Sequence, residues 1–152
     1  SKNTDLFQFQ QTENDIKGSE ITVLKEFNDF FNSKEFGEFI FKITGIKISL
    51  GKIDMSGFVY SKTDYLLPHD DRLEGRKIAY ILNLSEKFKK GDGGKLQFFD
   101  VKNKKPSKIV KSFIPSFNTL ALFEVSENSF HQVEEVLVNK ERISFAGWFY
   151  GD

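Results

Sequence analysis

A chain of 152 residues suits one domain with a real core, and its 22 Lys plus Arg balance 22 Asp plus Glu, for a formal net charge of zero. That balance removes the bulk electrostatic case for a nucleic-acid or anionic-membrane partner. With no cysteine present, disulfides, thiolate chemistry and cysteine-ligated zinc are excluded, and any metal must take His, Asp or Glu. No apolar run approaches the roughly 20 residues a membrane-spanning helix needs, and no signal peptide opens the chain. The expectation is a soluble, intracellular protein (cytoplasmic, or nuclear in a eukaryote) with a single domain over residues 1–152.

The first twenty residues are polar, with one alternating patch at Leu6, Phe7 and Phe9, and read as an extended arm or short edge strand. From Ser19 the period changes: Ile21, Leu24, Phe27 and Phe31 recur at helical steps. A second helix is predicted behind Ser33 as its cap, with Phe36, Phe39, Ile40 and Ile43 on one face and Gly45 as its stop. After this helical buttress, about residues 19–45, the pattern is β to the end. The runs "IKISL", "SGFVY", "YLLP", "KIAYILNL", "KLQFFD", "KIVKSFIP", "TLALFEV", "SFHQVEEV" and "RISFAGWFY" are β-branched or aromatic, with turn signals such as "GDGG" and "KNKKPS" between them. About nine strands at this spacing predict a mainly β fold, a jelly roll with two N-terminal helices packed outside.

The chain has only two histidines, His69 and His131, and they stand 62 residues apart. Asp71 follows His69 by two, so a shared strand places both on one face and sends Asp70 to the other. A strand some 60 residues on brings His131 to the same point. Two imidazoles and one carboxylate leave open positions on an ion, the arrangement of non-haem Fe(II) oxygenases. A hydrolytic zinc site takes the same three residues, so the ligand set alone does not choose the metal.

Arg142 lies eleven residues past His131, and alternation through "ERISFAGW" puts Arg142 and Ser144 on the inward face. A buried arginine needs an anionic partner, and its planar fork suits a carboxylate. A salt bridge with Glu134 or Glu141 is one way to meet that need. A co-substrate with a carboxylate for Arg142 and a 2-oxo acid for the metal is the other; 2-oxoglutarate is such a molecule, and Ser144 can bond its far carboxylate.

The stretches "DMSGFVYSKTDYLLPHDDRLEGRKIAYILNL", "GDGGKLQFFD", "FHQVEEV" and "RISFAGWF", with the helical "SKEFGEFIFKITG" ahead of them, resemble the Fe(II)- and 2-oxoglutarate-dependent oxygenases. Within these they are most similar to the prolyl hydroxylases of the ribosomal-protein prolyl 3-hydroxylase branch. The resemblance implies a double-stranded β-helix, Fe(II) as cofactor, and 2-oxoglutarate and dioxygen as co-substrates. It implies His69, Asp71 and His131 as iron ligands and Arg142 as the anchor of 2-oxoglutarate. The implied partner is a protein with a target proline, in that branch a small-subunit ribosomal protein. Relatives of that branch carry a second, non-catalytic domain, so the chain is expected to be a single-domain relative or a catalytic domain alone.

The same resemblance places Tyr60 in the co-substrate pocket, Trp148 beside the metal and Arg76 near the peptide-binding cleft. One position departs from it: Asn83 stands where the family usually has a tyrosine that helps bind 2-oxoglutarate. Asparagine still offers a hydrogen bond but is shorter and leaves space. Gln132 and Glu134 are candidates for orienting the imidazoles. Two other readings stay open from sequence: the same oxygenase chemistry on a small molecule or nucleic-acid base, and a cupin-like binding module without turnover.

Overall fold

Two short helices lie against the outside of a curled antiparallel sheet in the computed structural model, which describes residues 2–12 and 16–151. After a 3-10 turn at Ile16–Gly18, α1 covers Thr22–Phe31 and α2 covers Lys34–Thr44. α2 starts and stops as its sequence dictates. Ser33 Oγ accepts from the Phe36 N–H at 3.2 Å, and Gly45 closes the helix at φ 73°, its N–H donating to the Phe41 carbonyl. α1 begins later than the Ser19 signal: Ser19 Oγ accepts from the Ile21 N–H and makes a turn, and the helix opens with no side-chain cap. Phe31, Phe36 and Ile40 are buried against Ile53, Met55, Ile78, Tyr80 and Phe149 of the sheet's outer face. Each such side chain contributes about 1.5–3 kcal/mol by leaving water. Phe39 and Ile43 share the helical period but stay about half exposed, because only part of the apolar stripe meets the sheet.

The strands are β1 (Lys2–Thr4), β2 (Phe7–Gln11), β3 (Ser56–Tyr60), β4 (Tyr65–His69), β5 (Arg76–Asn83), β6 (Leu96–Lys102), β7 (Lys105–Phe113), β8 (Thr119–Glu124), β9 (His131–Val133) and β10 (Arg142–Tyr150). They run β7-β6-β9-β4-β2-β3-β10-β5-β8, with β1 on β2. The path curls into two facing walls, β7-β6-β9-β4 and β3-β10-β5-β8, joined through β2. This is the expected mainly β jelly roll.

Two local expectations change. β2 is not an edge strand but the joint between the walls: Phe7 and Gln8 pair with β4, and Gln10 and Gln11 pair with β3. Burial of Phe9 against Tyr60 and Phe58 holds it there. The run "IKISL" forms no strand. Its Ile46 and Ile48 pack on the helical core, and the Ser49 N–H donates to the Tyr150 carbonyl before Gly51 turns the chain.

Alternation decides what each wall presents. On β10, Phe145 and Phe149 face the helices, while Arg142 and Ser144 face the interior with Asn83, the β5 partner of Ser144. On the opposite wall Val133 and His131 of β9 line the interior with Leu66 of β4. Between Leu66 and His69 the register shifts by a β-bulge, so His69 comes to the same face as Leu66 although the two stand an odd number of positions apart.

Candidate metal centre

The interior cavity, about 200 Å³, is lined from one wall by Leu66, His69, Asp71, His131 and Val133 and from the other by Tyr60, Ile81, Arg142, Ser144 and Trp148. His69 closes β4 and His131 opens β9, and the two residues are paired across the ladder with rings 4.2 Å apart. Asp71 lies beyond the end of β4, so strand period is not what aims it. Its backbone is left-handed at φ 63°, a region aspartate tolerates better than most residues, and this turn brings the carboxylate back to the histidines. Asp71 Oδ1 lies 3.3 Å from His69 Nε2 and Oδ2 lies 3.3 Å from His131 Nε2. One ligand atom from each residue can be chosen so that all lie within 4.8 Å of one another.

Both rings are oriented by main-chain carbonyls. His69 Nδ1 lies 2.9 Å from the Leu67 carbonyl and His131 Nδ1 lies 2.8 Å from that of Ser129. A carbonyl only accepts, so each Nδ1 carries a proton and each Nε2 is aimed at the centre, where it donates to Asp71 when it carries a proton and offers a lone pair to an ion when it does not. Gln132 and Glu134 do not serve this purpose: Gln132 donates to Gln97, and Glu134 pairs with Lys95 on the outer face.

Electrostatics follow the geometry. Burial pushes the Asp71 carboxyl up, but hydrogen bonds from His131 and His69 reverse this and hold it well below the usual carboxylate range. Burial pulls the His69 imidazole down, and the Asp71 carboxylate outweighs it and leaves His69 above its ordinary value. A preformed anion beside two Nε2 atoms, each able to exchange its proton for an ion, is a donor set that could hold a divalent metal.

Arg142 is 1% exposed. Its Nε donates to the Gly94 carbonyl at 2.9 Å and its Nη1 to Ser144 Oγ at 3.3 Å. Nη2 is buried with no partner among the described residues, and no carboxylate pairs with this guanidinium, so neither Glu134 nor Glu141 takes that role. Burial lowers its pKa, which Tyr60 partly offsets, yet an arginine keeps its proton in any protein environment. A buried cation with one unanswered nitrogen fits a dicarboxylate entering the cavity. Tyr60, paired with Arg142 across β3 and β10, sets its ring centroid 5.2 Å from the guanidinium carbon. Burial drives its phenol well above the ordinary value, against the pull of Arg142, so the hydroxyl keeps its proton.

The remaining sequence candidates fall around this centre. Trp148 lines the cavity, whereas Arg76 does not and lies stacked on Trp148 instead, its guanidinium carbon 3.3 Å from the ring centroid. Asn83 is buried but lines an adjoining cavity of about 620 Å³, which shares Arg142 and Phe123 as a common wall. Its Oδ1 has no partner among the described residues. "GDGG" does more than turn the chain. Gly93 at φ 77° approaches Glu135 so closely that a Cβ would lie 2.0 Å from its carbonyl oxygen. Gly94, next to it, supplies the carbonyl that anchors Arg142.

An imidazole–carboxylate cluster facing a buried cation across a curled antiparallel half-barrel is the layout of non-haem iron oxygenases. The chain belongs to the 2OG-Fe(II) oxygenase superfamily, whose family model matches residues 55–150. It is 42% identical over 152 residues to the Prolyl 3-hydroxylase OGFOD1 of Xenopus laevis, covering 99% of this chain and 29% of that protein. Against the Prolyl 3-hydroxylase OGFOD1 of Mus musculus it is 44% identical, covering 99% and 27%. The chain thus spans less than a third of the length of these curated relatives. Among solved structures it is similar to a Pseudomonas putida prolyl-4-hydroxylase, with a TM-score of 0.74 at 19% identity over 97% of this chain and 74% of that one. A Trichoplax adhaerens prolyl hydroxylase, solved with a hypoxia inducible factor peptide fragment, gives a TM-score of 0.70 at 16% identity over 96% and 71%. At these identities the structures speak for the fold. No helix among the described residues is long and apolar enough to cross a membrane.

Proposed function

We propose that this chain is the catalytic unit of an Fe(II)- and 2-oxoglutarate-dependent hydroxylase that acts on a prolyl residue of a protein inside the cell. The observation that carries it is the fully buried Arg142, with Nη2 unanswered, facing the same cavity as His69, Asp71 and His131. A cation buried in this way is costly unless an anion completes it, and the cluster across the cavity supplies the second point of attachment for a 2-oxo acid. The prolyl substrate is supported by the identity to two prolyl 3-hydroxylases. The sequence resemblance narrows the target to a small-subunit ribosomal protein.

In this reading His69 and His131 bind the ion through Nε2 and Asp71 through its carboxylate. Arg142 and Ser144 hold the far carboxylate of 2-oxoglutarate, and Tyr60 packs along the same side chain. Bound together, Fe(II) and 2-oxoglutarate supply the oxidative decarboxylation that activates dioxygen and yields succinate and carbon dioxide. Phe9, Phe58, Leu66, Ile81, Phe123 and Val133 keep the cavity apolar, so water competes poorly there. The test is incubation with Fe(II), 2-oxoglutarate and proline-containing peptides from small-subunit ribosomal proteins. Succinate formation together with gain of one oxygen on a proline is expected; succinate with no peptide oxidised, across proteins of the host lysate as well, would remove the prolyl substrate.

A further inference from the structure

Asp71 poses a problem that the strands do not solve. The ladder ends at His69, and Asp71 stands two residues further on at φ 63°. A side chain in this region is strained unless its surroundings impose it. If the turn relaxed, the carboxylate would swing away from the two Nε2 atoms.

Two hydrogen bonds grip the turn at successive carbonyls. Ser129 Oγ shares its one proton between the Asp70 and Ser126 carbonyls, each at 2.8 Å, and Arg76 Nη1 donates to the Asp71 carbonyl at 3.2 Å. The second grip is itself braced. The Arg76 guanidinium carbon lies over the Trp148 ring, 3.3 Å from its centroid, and Trp148 is fixed by pairing with Ala79 in the β5–β10 ladder. The Tyr150 hydroxyl, hydrogen-bonded to the guanidinium, donates to the Asp54 carboxylate. Arg76 Nε is buried with no partner among the described residues. The side chain is therefore not kept in place by saturating its own donors; the stack, the Asp71 carbonyl and the Tyr150 hydroxyl hold it. Arg76 also lies outside the lining of the metal cavity.

We propose that Arg76 is a positioning residue for the metal centre: braced on Trp148, it holds the Asp71 carbonyl so that the carboxylate stays turned toward His69 and His131. This rests on the metal-centre reading above, but not on the identity of the substrate. A planar fork can stack on a ring and donate sideways at once. A lysine in its place carries the charge without that geometry.

The experiment is a Co(II) titration of the apoprotein, followed by absorbance, with no 2-oxoglutarate or peptide present. Arg76→Leu is expected to weaken Co(II) binding ten- to a hundred-fold, the usual range for losing an outer-shell partner, with Arg76→Lys in between. Trp148→Phe keeps a flat platform and should bind Co(II) close to the wild type, whereas Trp148→Leu should lose affinity, though less than Arg76→Leu, because Tyr150 still holds the guanidinium. The double variant Arg76→Leu/Trp148→Leu should lose no more than Arg76→Leu alone, because Trp148 acts through Arg76. At saturating Co(II), 2-oxoglutarate should bind the Arg76 variants nearly as it binds the wild type, since Arg142 is untouched and Arg76 lies outside the cavity lining. Wild-type Co(II) affinity in a folded Arg76→Leu overturns the proposal, as does an equal loss of 2-oxoglutarate binding at saturating metal. If Arg76→Leu does not fold, Arg76→Gln carries the test, and undiminished Co(II) binding by it overturns the proposal equally. A wild type that binds no Co(II) removes the metal centre itself, a result distinct from either.

Discussion

Asp70 and Asp71 are neighbours in sequence and face opposite ways. The Asp70 carboxylate accepts from Arg72 Nε at 2.8 Å near the surface, whereas the Asp71 carboxylate reaches both His69 and His131 inside the cavity. Asp71→Ala is therefore expected to abolish turnover and sharply weaken divalent-metal binding. Asp70→Ala should leave both much nearer wild type, because alanine keeps the main-chain carbonyl beside Ser129 and loses only the near-surface bonds that the carboxylate accepts from the Arg72 N–H and Nε. Titration of Mn(II) into both variants checks this. A larger loss in Asp70→Ala would overturn the assigned ligand.

Arg142 separates the metal from the co-substrate. Removing it takes away a fully buried donor set that touches neither histidine. Arg142→Ala should raise the requirement for 2-oxoglutarate while leaving the requirement for iron close to unchanged. Losing a desolvated charge pair costs about 2–5 kcal/mol, or roughly 30-fold or more in affinity. Equal losses of metal and co-substrate affinity would assign Arg142 a structural role instead.

The site is legible in the sequence where side chains carry the chemistry and illegible where the backbone does. His69, Asp71, His131 and Arg142 announce themselves by residue type and spacing, and the helices by period and caps. The geometric reason offered by simple alternation, however, is not the one the molecule uses. A bulge after Leu66 resets the face of β4, and a left-handed turn, not a strand, aims Asp71. An inserted residue changes no composition, so period-two reading has no means of counting it. The carbonyls of Leu67, Ser129 and Gly94 orient both imidazoles and the guanidinium. Every residue has such a carbonyl, so nothing marks these three in advance. β2 is hidden for a related reason: one short alternating patch looks the same at an edge as at a joint between two walls.

The coupling of Asp71 to His69 predicts opposite pH responses in the empty and loaded protein. His69 titrates above its ordinary 6.5 in the folded state. In the metal-free protein its stabilising contribution is complete below about 6.5 and is lost as pH rises through the raised folded value. Asp71, held low, contributes above its ordinary 3.8 and loses this only as pH falls through its depressed value. Metal needs the neutral imidazole, so protons compete for His69 and Mn(II) affinity should fall as pH drops from about 8 to about 6. Thermal melts of the apoprotein and Mn(II) titrations over that range test the pair. A pH-independent Mn(II) affinity would contradict the coupling.

Asn83 stands where the family resemblance leads to the expectation of a tyrosine, and its surroundings leave room for one. The side chain is buried beside Ser144, its Oδ1 has no partner among the described residues, and it borders a cavity of about 620 Å³ that reaches Arg142. A tyrosine introduced there meets open volume between Leu96, Phe98, Phe113 and Leu122. The penalty of about 1–3 kcal/mol for overfilling a tight core does not apply. Its hydroxyl can extend toward the carboxylate that Arg142 holds, and a hydrogen bond to a charged group contributes roughly 1.5–3 kcal/mol. Asn83→Tyr is thus expected to bind 2-oxoglutarate about tenfold or more tightly and to melt at a higher temperature than the wild type, as the ring fills space and buries apolar area. Titrating 2-oxoglutarate into both proteins, with Mn(II) in place of iron to block turnover, reads the first effect, and calorimetry reads the second. Tighter binding with a raised melting temperature assigns the cavity to the missing ring. Weaker binding with a lowered one means that Asn83 belongs to a repacked pocket in which the larger side chain collides with its neighbours.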